Sequence, residues 1–183
     1  YMGMGETAEN VAKNYELSRE QQDIFAVESQ RKAAEAQKSH RLEDEIVPIS
    51  TASGQISKDG CIREGTTAEA LGDLKPAFSE AGTVTAGTSS PLSDGASAVL
   101  VTTEEFAEIN GLEPLARIKS FAVSGCKPEI MGIGPVGSSK KAMQRAGIKP
   151  DDLDVIELNE AFASQSLASI RELELDIAKI NVD

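Results

Sequence analysis

The sequence predicts an α/β protein whose layered core is incomplete within these residues and is flanked by a helical and irregular region. Three observations predict it. The 183 residues are 40% hydrophobic but only 4% aromatic, an Ala/Gly/Ser-rich composition that suits helices packed closely on sheet. Short apolar runs bounded by turn residues alternate with segments of helical period. The most informative is the third, the stretch Glu157-Leu158-Asn159-Glu160-Ala161-Phe162-Ala163-Ser164-Gln165-Ser166. There the apolar pair Val155-Ile156 runs into Asn-Glu and then a small-residue helix, which puts Asn159 at the C-terminal end of a strand, where open α/β sheets bind their ligands. An Asn at that place offers a donor and an acceptor to a water or a polarised carbonyl. The same residue type also suits a helix N-cap, and the segment alone leaves both open.

The elements follow in order. Thr7 to about Asn14 reads as a short helix. Ser18 opens a longer one through Gln37, because Ser18 and Gln21 match a capping box and Ile24, Phe25, Ala33 and Ala34 supply an apolar face. Glu45 to Ile49 and Gln55 to Ile62, separated by Thr51-Ala52-Ser53-Gly54, predict an irregular hairpin whose first strand Pro48 confines to an edge. Ala96 to Thr102 reads as a core strand followed by a helix to about Asn110, Leu115 to Val123 begins a second core domain, and Ile118 to Val123 is its apolar strand candidate. Ser138 to Ala146 is a helix ended by Gly147 and Pro150, and Leu153 to Leu158 is the strand that delivers Asn159.

Charge and the reactive side chains exclude several functions. Eighteen Lys and Arg against thirty Asp and Glu leave a net charge of −12, which argues against a sequence-independent grip on nucleic acid. No apolar stretch approaches the roughly 18 residues of a membrane span, so no membrane partner is expected. Cys61, Cys126 and the single His40 cannot compose a zinc set, and no metal is expected. Cys61 follows the turn Asp59-Gly60 near Arg63, and Cys126 precedes Lys127-Pro128. Neither has a neighbouring His to lower its thiol pKa, so both read as inert. His40, between Lys38-Ser39 and Arg41, reads as a solvated helix-end residue. The run Gly82 to Gly95 lacks the arrangement of a phosphate-cradling Walker loop.

Five motifs point further. Met4-Gly5 with Thr7-Ala8-Glu9-Asn10-Val11-Ala12, Leu74-Lys75-Pro76-Ala77-Phe78, Gly82 to Gly87 with Ser90 and Ser93-Asp94-Gly95-Ala96, Met131-Gly132-Ile133-Gly134-Pro135, and Asn159-Glu160-Ala161-Phe162-Ala163 occur in one order along the chain. In content, order and spacing they resemble the thiolases, which make or cleave 3-ketoacyl-CoA thioesters. The resemblance implies a layered αβαβα core, incomplete here. Residues 1–92 would be the lid region inserted in the first core domain, 93–112 the end of that domain, and 113–183 the beginning of the second, truncated.

The resemblance also implies roles. The Asn matching Asn159 holds a water that completes an oxyanion hole with a His. The coenzyme A and acyl contacts would be Arg63 near the nucleotide, Phe78 and Ala86 along the trough, and Ser90 on the pantetheine. Met4, Met131, Ala161 and Phe162 would surround the acyl end. Coenzyme A thioesters would be substrates, with no cofactor, and the full-length parent a homo-oligomer, a dimer or a tetramer. The family's nucleophilic Cys, its second acid/base Cys and its His should all lie outside residues 1–183, so this chain alone is expected to be inactive. The rival reading is a thiolase-like module that binds coenzyme A or acyl groups without transferring them. Ala70 and Gly3 depart from residues that many relatives carry, which bears on the adenine contact and the chain-length preference. Glu157-Leu158-Asn159 with Met131 to Pro135 resembles the degradative branch more than the biosynthetic one. Cytoplasm, mitochondrion and peroxisome all stay open as compartments.

Overall fold

A computed structural model describes residues 1–182. Its centre is helix α1 (Met4–Asn14), which packs against helix α6 (Ala163–Glu172) and the kinked 3-10 stretch Pro128–Ile133. Helix α1 begins about a turn before Thr7 because the Glu6 carboxylate folds back to accept the Gly3 N–H at 2.6 Å. Glu6 in the first turn and Lys13 in the last also complement the helix dipole. Val11, Leu17 and Ala168 are buried together, with Tyr15, Ile130, Ile133 and Leu167 packed around them. Full burial of a side chain the size of Val11 contributes about 1.5–3 kcal/mol. Among the described residues no helix is long and apolar enough to cross a membrane.

Helix α2 (Arg19–Lys38) starts as its capping box requires: Ser18 Oγ accepts the Gln21 N–H at 3.1 Å, and Gln21 Oε1 accepts the Ser18 N–H at 2.9 Å. Its buried face is not the apolar one expected. Gln22, Asp23, Ala26 and Ala36 are buried, whereas Ile24 is 55% exposed. The reason is a polar network. The Arg19 Nε–H reaches both Asp23 oxygens at 3.0 and 2.9 Å, and its guanidinium also donates to the carbonyls of Leu71 in helix α3 (Ala68–Gly72) and of Leu74 just after it. Gln22 Nε2 donates to Thr83 Oγ1 at 3.0 Å. Buried polar groups matched as Asp23 and Gln22 Nε2 are cost little, although Gln22 Oε1 has no partner among the described residues, and they occupy the place where period alone would put apolar residues.

The hairpin forms, but shorter than expected. Strands β1 (Ile49–Thr51) and β2 (Gly54–Ile56) pair antiparallel with Ile49 opposite Ile56. Thr51 and Gly54 belong to the strands, leaving Ala52-Ser53 as the turn. Helix α4 (Glu104–Ile109) is capped by Thr103 Oγ1, which accepts the Phe106 N–H. Helix α5 (Gly134–Ala146) begins four residues before Ser138, with Pro135 in its first turn, where a missing N–H is harmless. Gly147 ends it in the left-handed conformation at φ 70°.

Three expected core strands are corrected. Ala96 to Thr102, Ile118 to Val123 and Leu153 to Leu158 form no ladder among the described residues. A strand is defined by a neighbour, and here only Ile156 finds one, bridging Ile180 in parallel. The apolar side chains of the other two stand in solvent: Val99 is 87% exposed and Phe121 79%. Exposed strand-forming runs are association hazards. The isolated chain is therefore expected to associate with rising concentration. Sedimentation showing a concentration-independent monomer with a cooperative melt would contradict this.

Candidate active site

The loop Leu158-Asn159-Glu160 lies beside a cavity of about 830 Å³ lined in part by Ser29, Lys32, Ser90, Asn159, Ala161 and Asn181. Asn159 is exposed and its side-chain amide makes no hydrogen bond among the described residues. It does not cap the next helix, because the residue at that place is Phe162. Its donor and acceptor are both available to a ligand or a water.

The flanks of Asn159 are held firmly. Asn181 Oδ1 accepts the Leu158 N–H at 2.7 Å, and Asn181 Nδ2 donates to the Leu158 carbonyl at 2.8 Å and to Glu160 Oε1 at 2.7 Å. The other Glu160 oxygen accepts the Ser29 hydroxyl from α2. Asn181 was not singled out from the sequence. The signal was weak, a lone Asn in Ile180-Asn181-Val182 whose contacts lie more than twenty positions away.

A second group is apolar. The Phe78 and Phe162 rings meet edge to face with centroids 6.0 Å apart, an arrangement that adds to simple burial. Phe78 lies directly on Gly5, next to Met4. A Cβ at Gly5 would come within 2.1 Å of the ring, so only glycine admits it there. Phe162 bridges Ser89 in antiparallel fashion, and the Ser90 N–H donates to the Ala161 carbonyl at 3.0 Å. Ser90, Ala161 and Asn159 line the cavity, whereas Phe78 and Phe162 pack behind Ser89 and Ala161 and, like Met4, Ala86, Met131 and Arg63, are not part of its lining. The Ser90 hydroxyl makes no hydrogen bond among the described residues.

The remaining predicted residues are less closely joined. Ala86 begins the 3-10 turn Ala86–Thr88, and Met131 sits exposed in the stretch packed on α1. Arg63 is exposed in the loop after the hairpin and touches the group only indirectly, its backbone N–H donating to Gln30 Oε1 at 2.7 Å while Gln30 lines the cavity. Cys61 and Cys126 are free thiols, and neither lines the cavity. Among the described residues no three His, Cys, Asp or Glu side chains gather into a group that could hold a metal.

The Glu9 carboxylate ties the 82–84 loop to α1. One oxygen accepts the Thr83 N–H at 2.9 Å and the other the Val84 N–H at 2.9 Å. Gly82 leaves room for it, since a Cβ there would lie 2.0 Å from Glu9 Oε1.

Comparison with known proteins bears on the whole chain. Residues 1–105 match the family model described as thiolase, N-terminal domain, and residues 112–183 the one described as thiolase, C-terminal domain. The acetyl-CoA acetyltransferase of Paracoccus denitrificans is 51% identical over 98% of this chain and 47% of its own length. The 3-ketoacyl-CoA thiolase of Bacillus subtilis is 48% identical over 100% of this chain and 50% of its own. The chain thus spans about half the length of the curated relatives it matches. The crystal structure of Bacillus anthracis acetyl-CoA acetyltransferase superposes with a TM-score of 0.95 at 45% identity, covering 100% of this chain and 47% of that one. Human mitochondrial 3-ketoacyl-CoA thiolase in complex with CoA gives 0.95 at 44%, covering 99% and 46%. Agreement at that level makes the architecture thiolase-like α/β. In sequence and in fold, the chain belongs to the thiolase family.

Proposed function

We propose that this chain is the central part of a thiolase-type acyl-CoA acyltransferase. Its parent reaction is thiolysis of a 3-ketoacyl-CoA by coenzyme A to acetyl-CoA and a shortened acyl-CoA, or the reverse Claisen condensation. Support comes chiefly from the free Asn159 amide at the rim of the cavity, between a clamped loop and the Ala161 and Ser90 wall. In this reading the amide orients a water whose hydrogen faces the thioester or ketone oxygen, where negative charge develops in the transition state. Met4, Phe78, Met131 and Phe162 form the apolar side against which pantetheine and acyl carbons lie. Ala86 and Ser90 line the arm, and Arg63 faces the nucleotide phosphates.

Chemistry also needs a thiolate to take the acyl group, a second thiol to shuttle the proton and a His to complete the oxyanion hole. We assign these to residues outside 1–183, with 1–92 as lid, 93–112 as the end of the first core domain and 113–183 as the start of the second. The 105-to-112 gap between the two matched family domains supports a division near there. A parent homo-oligomer acting on coenzyme A thioesters belongs to the same reading.

One observation favours the rival, a binding module: no cysteine lines the cavity. The same experiment separates them. The full-length polypeptide carrying this segment should cleave acetoacetyl-CoA in the presence of coenzyme A. The chain alone, incubated with acetyl-CoA, should show no adduct by intact mass. A stoichiometric acetyl group on Cys61 or Cys126 would overturn the assignment of the nucleophile, and coenzyme A binding without turnover by the full-length polypeptide would favour the binder.

A further inference from the structure

We propose that Asn181 is a positioning residue that sets the place of Asn159 by continuing a strand with its side chain. The proposal rests on the acyltransferase reading of Asn159. Ile156 and Ile180 begin a parallel pairing: the Ile156 N–H donates to the Lys179 carbonyl at 2.8 Å, and the Asn181 N–H donates to the Ile156 carbonyl at 2.9 Å. In a regular parallel ladder the next bond would join the Leu158 N–H to the backbone carbonyl of residue 181. Here the backbone turns away, with Asn181 at φ 46°. Its side-chain amide takes over, accepting the Leu158 N–H with Oδ1 and donating to the Leu158 carbonyl with Nδ2.

Nδ2 also donates to Glu160 Oε1. The one amide therefore grips the residues before and after Asn159 and leaves Asn159 itself unbound. Asn suits both demands, since it tolerates the left-handed conformation better than other residues with a Cβ and offers a donor and an acceptor in one plane. Gly would keep the turn and lose the grip. Asp would keep the acceptor for Leu158 but turn an acceptor oxygen toward the Glu160 carboxylate, an acceptor-to-acceptor contact.

The test uses the full-length polypeptide, with acetoacetyl-CoA thiolysis as the assay. Asn181→Gly should lower kcat roughly 10-fold to 100-fold with KM for the thioester little changed, because misplacing a transition-state contact costs rate more than binding. Asn159→Ala/Asn181→Gly should be no slower than Asn159→Ala alone, since Asn181 acts through Asn159. Asn181→Asp should also be slow, and adding Glu160→Gln should restore part of the rate by returning a donor to that contact. The Asp pair carries the comparison if the Gly variant does not fold. Wild-type kcat in Asn181→Gly or Asn181→Asp, or multiplicative losses in the double variant, would overturn the proposal. A slow Asn159→Ala with a normal Asn181→Gly would sink this inference and spare the acyltransferase reading. A normal Asn159→Ala would sink both.

Discussion

Asn159→Ala in the full-length polypeptide is expected to lower kcat roughly 10-fold to 10³-fold and to leave coenzyme A affinity nearly unchanged. The amide makes no hydrogen bond among the described residues, so removing it breaks no internal contact and opens no core cavity. What it does remove is a donor and an acceptor at the cavity. In the proposed chemistry these meet their water fully only when the substrate oxygen gains negative charge. Interactions that strengthen in the transition state appear in kcat, whereas uniform binding appears in KM. Steady-state kinetics on acetoacetyl-CoA with coenzyme A varied would check this. Turnover at the wild-type rate would remove Asn159 from the mechanism, and a rise in KM with kcat intact would recast it as a plain binding contact.

The largest stability effect is expected at Glu9. Its two oxygens satisfy the backbone N–H groups of Thr83 and Val84, the latter fully buried. Glu9→Ala leaves both donors without a partner, which should cost about 2–4 kcal/mol, since a buried unsatisfied donor costs about 1–3 kcal/mol. Glu9→Gln keeps one acceptor and should cost less. Gly82→Ala should act on the same contact from the other side, because its Cβ would lie 2.0 Å from Glu9 Oε1 and push the carboxylate away. The two changes share one interaction, so the double variant should lose clearly less than the sum of the singles. Urea denaturation of the full-length polypeptide, read as the midpoint at constant slope, would check this. An unchanged midpoint in Glu9→Ala, or simple additivity, would show that the carboxylate does not hold the 82–84 loop.

Particular elements show what was legible. The Ser18 start of α2 could be read directly, because a capping box is a local exchange of hydrogen bonds between Ser18 and Gln21. The Gly147 stop of α5 was readable for the same reason. The buried face of α2 was not, since Asp23 and Gln22 are buried beside a half-buried Arg19 through partners at residues 71, 74 and 83. Period alone assigns such polar residues to solvent. The core strands misled in the opposite direction. Their sequences carry the strand pattern, yet ladders depend on neighbours that the described residues do not supply.

The same division runs through the candidate site. By its sequence alone this protein was marked as an α/β chain with Asn159 as a candidate site residue, through motifs whose content and order are local properties of the chain. Only the tertiary structure decided that Phe78 lies across Gly5 and meets Phe162, that Ser90 joins Ala161, and that Arg63 stands apart from them. It alone decided that Asn181 grips both flanks of Asn159. The physical reason is that each of these is a contact between segments distant in sequence. Neither segment carries a pattern that names its partner, and the geometry exists only once the helices and loops have packed.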